Sequence, residues 1–158
     1  MTARRIFVDM DGVLADFEGH YQAVFGVPAE RDVQLRHKTH ATFFLDMPPK
    51  DDAFALWAGV KQFDANPTVL SGVPMSAANA ARISEHKRQW VATHLGADVA
   101  VITCHASNKR DYGNPGDVLI DDWPKYQRRW QRMGGIFIVH TSAAESLRQL
   151  AEIMVVPA

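Results

Sequence analysis

Apolar residues gather along the chain in five short runs, at 5–9, 68–71, 99–104, 118–121 and 136–140. Each is rich in Val, Ile or Leu and is followed by loop-forming residues, the pattern of strands buried on both faces. Between the runs the pattern turns helical. Residues 76–95 carry apolar side chains at Ile83, Trp90, Val91 and Leu95, with Gly96 where a C-terminal cap belongs. Pro124 suits the first turn of a helix running to Trp130. Ser142 is placed to cap a last helix over 143–153. Strands alternating with helices predict an α/β fold, a Rossmann-like core with a central parallel sheet flanked by helices. Such sheets bind ligands beyond the carboxyl ends of their strands, near a switch in strand order. The polar residues that follow each strand are therefore the ones to weigh.

One interval breaks the alternation. About 50 residues separate the first and second runs, more than a simple crossover needs. Within 17–66 no strand is expected. Helical stretches lie near 18–25 and 51–63, and Phe43-Phe44-Leu45-Asp46-Met47-Pro48-Pro49 runs between them. Part of this interval is read as a small helical cap inserted after the first strand. The 158 residues otherwise fit one domain with a single core.

Composition narrows the classes of function. A hydrophobic content of 47% is ordinary for a globular protein. The formal net charge of -1 gives no basic surplus for a nucleic acid polymer. No apolar run is long enough to span a membrane. The single cysteine, Cys104, excludes an intramolecular disulfide and suits a reducing compartment. Met1-Thr2-Ala3-Arg4-Arg5 leads straight into the first run, without the apolar core and cleavage site of a secretion signal. A cytoplasmic protein is expected, with a homodimer left open.

Three strand ends carry suggestive groups: Asp9 with Asp11, Ser71 with Gly72, and Asp121 with Asp122. Carboxylates converging from neighbouring strand ends supply the hard oxygens that Mg2+ prefers. Asp9 is placed to attack phosphorus and form an aspartyl-phosphate. Asp11, two residues beyond, is placed to protonate the leaving oxygen and then deprotonate water. Gly12 lets the backbone turn sharply after the acids. Ser71 offers a hydroxyl to a phosphoryl oxygen, and Gly72 lets backbone N–H groups approach. Lys109 would add positive charge at the transition state, with Lys87 or Arg110 as substitutes.

Asp9-Met10-Asp11-Gly12-Val13-Leu14-Ala15-Asp16-Phe17 resembles the first motif of the haloacid-dehalogenase-like (HAD) phosphatases, especially their 5'(3')-deoxyribonucleotidase branch. Ser71, Lys109 and Leu119-Ile120-Asp121-Asp122 are similar to the second, third and fourth motifs. Phe43-Phe44 with Met47-Pro48, and Lys87-Arg88-Gln89-Trp90-Val91, resemble further segments of that branch. The resemblance implies Asp9 as nucleophile and metal ligand. It implies Asp11 as general acid/base, with its backbone carbonyl on the metal. Asp122 would be the third ligand, and Asp121 would support it or bind through water. Ser71, Gly72 and Lys109 would hold the phosphate. The implied activity is Mg2+-dependent hydrolysis of a phosphate monoester, with a (deoxy)nucleoside 5'-monophosphate as substrate. The cap interval is shorter than in the deoxyribonucleotidases, whose cap forms the nucleoside pocket. A phosphatase for another small phosphorylated metabolite is therefore the alternative. The others are a phosphotransferase and a non-catalytic phosphate- or metal-binding domain.

Several residues have plainer readings. Asp16 suits a helix start. Phe43, Phe44 and Trp57 either stack on a substrate or simply fill the cap. His37 and His40 have metal-pair spacing but no third ligand nearby in sequence. Cys104 reads as a buried structural thiol, and Arg128, Arg129 and Arg132 as a solvated helix face.

Overall fold

In the computed structural model, which describes residues 3–155, all five apolar runs form strands. The chain runs β1 (Ile6–Val8), α1 (Phe17–Phe25), α2 (Phe43–Asp46), α3 (Ala53–Val60), β2 (Thr68–Gly72) and α4 (Ala77–His94). It continues through β3 (Val101–Cys104), β4 (Val118–Asp121), α5 (Gln127–Arg132), β5 (Ile136–Val139) and α6 (Ala143–Val155). The five strands form one parallel sheet in the order β3-β2-β1-β4-β5. β1 is central, with Val8 between Val69 and Ile120.

Alternation along the strands divides the core in two. Ile6, Val8, Val69, Val118, Ile120 and Ile138 face the larger cluster, which α3, α4 and α6 cover. Phe7, Leu70 and Leu119 point to the opposite face and pack on Trp130 of α5. Phe7 meets Trp130 edge to face, with centroids 5.6 Å apart. Trp130 Nε1 donates to the Ile136 carbonyl at 3.1 Å. The sheet thus has helices on both faces, as the alternation predicts.

Element ends move by a residue or two. β3 starts at Val101 rather than 99, because the chain is still turning out of α4: Gly96 has φ +141° and accepts from Val99 N–H. The expected last helix begins as read, with Glu145 N–H donating to Ser142 Oγ at 3.2 Å. Pro124 opens a 3-10 turn, Pro124–Tyr126, and α5 follows it. Ser76 stands at the start of α4, and its carbonyl accepts from Ala80 N–H.

The long interval divides into two parts. α3 packs on α6, where Gly59 lets Leu147 approach; a Cβ there would lie 2.5 Å from Leu147 Cδ1. It belongs to the helical layer of the sheet. α1, α2 and the 3-10 turns Ala29–Arg31 and Arg36–Lys38 form the cap portion. At its base Asp16 N–H donates to the Pro48 carbonyl and Lys50 N–H to the Leu14 carbonyl, both at 2.8 Å. The cap is tied to α4 as well. Trp90 Nε1 donates to the Met47 carbonyl at 2.7 Å, and Arg82 donates to the carbonyls of Lys38, His40 and Ala41. Among the described residues, no helix is long and apolar enough to cross a membrane.

Candidate active site

The strand order reverses at β1. The chain leaves toward β2 and β3, then returns to β1's other side as β4 and β5. Crevices at such reversals are ligand sites because successive connections diverge there. Asp9 follows β1, and Asp121 ends β4 beside it. Asp9 N–H donates to the Ile120 carbonyl at 2.9 Å, which holds the two strand ends in register.

One carboxylate oxygen from each of Asp9, Asp121 and Asp122 lies within 4.8 Å of the others. Burial, then the nearby Asp9 carboxylate, pushes Asp121 up to about 6. Burial, Asp9 and Asp121, in that order, push Asp122 up to about 7, although it is the most exposed residue of the three. Such crowding favours protonation or a cation. The donor set fits Mg2+, whose ligands sit about 2.0–2.1 Å from the ion and are carboxylate and water oxygens. Gly12 makes room for this set: at φ +77° it turns the chain so closely past Asp122 that a Cβ would overlap its Oδ2. Behind it, the N–H groups of Val13, Leu14 and Ala15 all reach the Met10 carbonyl. The loop that carries Asp9 and Asp11 is therefore internally closed.

Lys109 and Lys87 both enter the site, from different sides. Lys109 lies in the 3-10 segment Ala106–Tyr112 after β3. Its Nζ donates to Asp9 Oδ1 at 2.9 Å and Asp121 Oδ2 at 2.7 Å. Burial opposes its charge, but Asp9 and Asp121 outweigh it and hold the ammonium protonated beyond the usual lysine range. Lys87, from α4, is completely buried. Its Nζ donates to Asp11 Oδ2 at 2.9 Å and to Ser71 Oγ and the Gly72 carbonyl, both at 2.7 Å. The Phe44 ring covers it, with Nζ 4.7 Å from the centroid. Asp11 Oδ1 is buried without a hydrogen-bond partner.

These groups open into a cavity of about 690 Å³. Asp9, Asp11, Gly72, Lys109, Asp121 and Asp122 line its floor, and Phe17, Leu35, His37 and Phe44 bring the cap to its wall. The sequence expectations are placed unevenly. Ser71 is wholly buried behind Gly72, with its oxygen engaged by Lys87, and it does not line the cavity. Phe44 lines the cavity. Phe43 does not: it is fully buried among Phe17, Tyr21 and Phe25, so the expected pair of pocket residues reduces to one. Asp11 turns its carboxylate to Lys87, and Asp121, expected to support the metal ligands, lies in the carboxylate cluster with Asp9 and Asp122. Arg110 faces Asp111 in an exposed pair.

The plainer readings fare as follows. Asp16 caps α1, accepting from Gly19 N–H at 3.1 Å. His37 lies against Tyr21 and Phe17, while His40 Nδ1 accepts from Thr42 N–H; both rings pack against Phe43. Cys104 is buried, and burial pushes its thiol up.

Sequence reading passed over Met75 and Trp123, large exposed side chains on the cavity rim. Both follow a strand end, so the rule that singled out the acids was the signal for them too. Leu35 carried no such signal. At φ +50° it is the only non-glycine residue with positive φ among the described residues, a strained position at a cavity wall.

No protein-family model and no curated protein sequence matches the chain. Its fold is shared with solved structures. A hydrolase from Streptococcus pneumoniae TIGR4 is 15% identical with a TM-score of 0.53, over 96% of this chain and 100% of that one. An uncharacterized protein from Corynebacterium glutamicum ATCC 13032 Kitasato is 15% identical with a TM-score of 0.50, over 99% and 98%. At that identity the likeness establishes the parallel-sheet α/β fold.

Proposed function

We propose that this chain is a HAD-like phosphatase that hydrolyses a small phosphate monoester through an aspartyl-phosphate on Asp9. The carrying observation is the position of the Asp9 carboxylate. It sits at the reversal of strand order, beside Asp121 and Asp122, hydrogen-bonded to Lys109 and open to the cavity. A fold neighbour described as a hydrolase supports the same direction.

Asp9, Asp121 and Asp122 would hold Mg2+, with the Asp11 carbonyl beside them. Bound there, the ion would neutralise phosphoryl charge and align the phosphorus with Asp9. The free Asp9 oxygen attacks phosphorus. Lys109 uses two of its three N–H groups on Asp9 and Asp121, which keeps one for a phosphoryl oxygen. Gly72 presents backbone to the phosphate, while Ser71, buried behind it, accepts from Lys87 and does not reach the cavity. Asp11 protonates the leaving oxygen and later takes a proton from the attacking water. The apolar wall of Phe17, Leu35 and Phe44 suits a flat, partly apolar leaving group, and a nucleoside 5'-monophosphate is the substrate favoured.

The test is turnover of an aryl phosphate and a panel of nucleoside and sugar monophosphates, with and without Mg2+. Turnover should require the metal. Asp9→Asn should lower kcat by at least about a thousandfold, as expected for loss of a covalent nucleophile. Unchanged turnover in Asp9→Asn would remove the nucleophile, and with it the proposed reaction.

A further inference from the structure

The cap holds a chain of polar groups that ends at the cavity, and following its protons fixes what the last group offers. Asp32 is buried. Tyr21 O–H donates to its Oδ2 at 2.6 Å, and Arg36 Nε donates to the same oxygen at 2.9 Å. The Tyr21 hydrogen bond, against burial and with help from Arg36 and the Gln34 N–H, holds the Asp32 carboxyl well below its ordinary value. A carboxylate only accepts, so the tyrosine proton points at Asp32. The tyrosine oxygen is left to accept. His37 Nδ1 lies 3.4 Å from it, so Nδ1 carries the ring proton. Burial, then the charges of Lys38 and Lys87, keep the imidazole neutral, with Asp32 opposing. Nε2 is then bare. It has no protein partner among the described residues and is not closed off from solvent, and His37 lines the cavity. Phe17 and Phe44 meet the ring near edge to face, with centroids at 5.3 and 5.9 Å, which holds its orientation.

We propose that His37 is a specificity-determining residue: its Nε2 accepts a hydrogen bond from the substrate, whose leaving group carries an N–H or O–H donor beside a flat apolar face. This rests on the phosphatase reading above and narrows its substrate. Phe17 and Phe44, on either side of the acceptor, cannot replace it. A leaving group without a donor therefore leaves Nε2 unpaired once water is displaced, which discriminates against it. Tyr21 and Asp32 are positioning residues: they set the tautomer and do not touch the substrate.

Two measurements test this. Imidazole nitrogen NMR shifts of the unmodified protein at neutral pH, which need no variant, should show His37 protonated at Nδ1 and bare at Nε2. A proton on Nε2 would overturn the proposal. The second measurement removes the donors of thymidine 5'-monophosphate in turn, the base N–H in its N3-methyl analogue and the sugar O–H in its 3'-deoxy analogue. One of these changes should lower kcat/KM at least about tenfold, the worth of one hydrogen bond, and in His37→Phe the same change should cost less than about threefold. The arm that responds tells whether base or sugar supplies the donor. A loss that persists in His37→Phe, no loss in either arm, or turnover of 4-nitrophenyl phosphate without turnover of the thymidine ester would each sink the idea. Failure of the underlying phosphatase reading looks different: the unmodified protein would turn over neither the aryl nor the thymidine ester.

Discussion

At Gly12 the backbone passes so close to Asp122 that a side chain would occupy the space of its carboxylate. Gly12→Ala therefore meets two penalties. The positive φ costs about 1 kcal/mol for a residue with a Cβ, and Asp122 must swing away from Asp9 and Asp121. Calorimetric titration should show Mg2+ binding weakened at least about tenfold, by more than one lost ligand hydrogen bond would explain. Unchanged affinity would remove Asp122 from the ligand set. The two phenylalanines divide in the same way. Phe43→Ala empties a closed aromatic cluster and should cost about 3–5 kcal/mol of stability in denaturant unfolding. Phe44→Ala should raise KM for nucleotides while leaving KM for small aryl phosphates little changed. The acids were legible in the sequence because each follows an apolar run. The choice between Lys87 and Lys109 was not, since one lies mid-helix and the other in a polar loop. Only the tertiary structure reveals that one ammonium is fully committed and the other has an N–H to spare.

Among the elements, the cap portion shows how far local pattern reaches. α1 was readable from Asp16 and the residues after it. α2 and the two cap 3-10 turns were not, because three or four residues cannot display a period. Tertiary partners hold them instead: Arg82 on the carbonyls of Lys38, His40 and Ala41, and an aromatic cluster around Phe43. His37 is part of that cluster. Burial, then the charges of Lys38 and Lys87, lower it to about 4, with Asp32 opposing. Tyr21 faces the same ring, and Arg36 is its chain neighbour. The folded state thus binds fewer protons than the unfolded chain between about pH 4 and pH 6.5. Stability contributed by neutral His37 is full above that window and is lost as pH falls through it. Melting temperatures compared between pH 7 and pH 5 should fall less in His37→Gln than in the unmodified protein. An identical fall in both would mean that His37 does not report on the cap.

For the whole molecule, the sheet was readable almost to its residues, because strands buried on both faces must be apolar throughout. The division of the 17–66 interval was less so. α3 is apolar throughout, and only its packing on α6 assigns it to the layer beside the sheet. The cluster of Asp9, Asp121 and Asp122 links the halves of the sheet, so a cation held there should act on the entire fold. Mg2+ at about ten times its dissociation constant should add about 1.4 kcal/mol and raise Tm by a few degrees. No rise in a calorimetric scan would argue that the three carboxylates do not share an ion.

The central place of β1 bears on how the protein comes into being. β1 is made before the other four strands, yet β4, its neighbour on one side, is separated from it by about a hundred residues; Asp9 and its partner Lys109 are 100 positions apart. A nascent chain can pair β1 with β2 and still lack Lys109, Asp121 and Asp122. During synthesis, then, Asp9 stands beside an unpaired sheet edge until β4 emerges and pairs with β1.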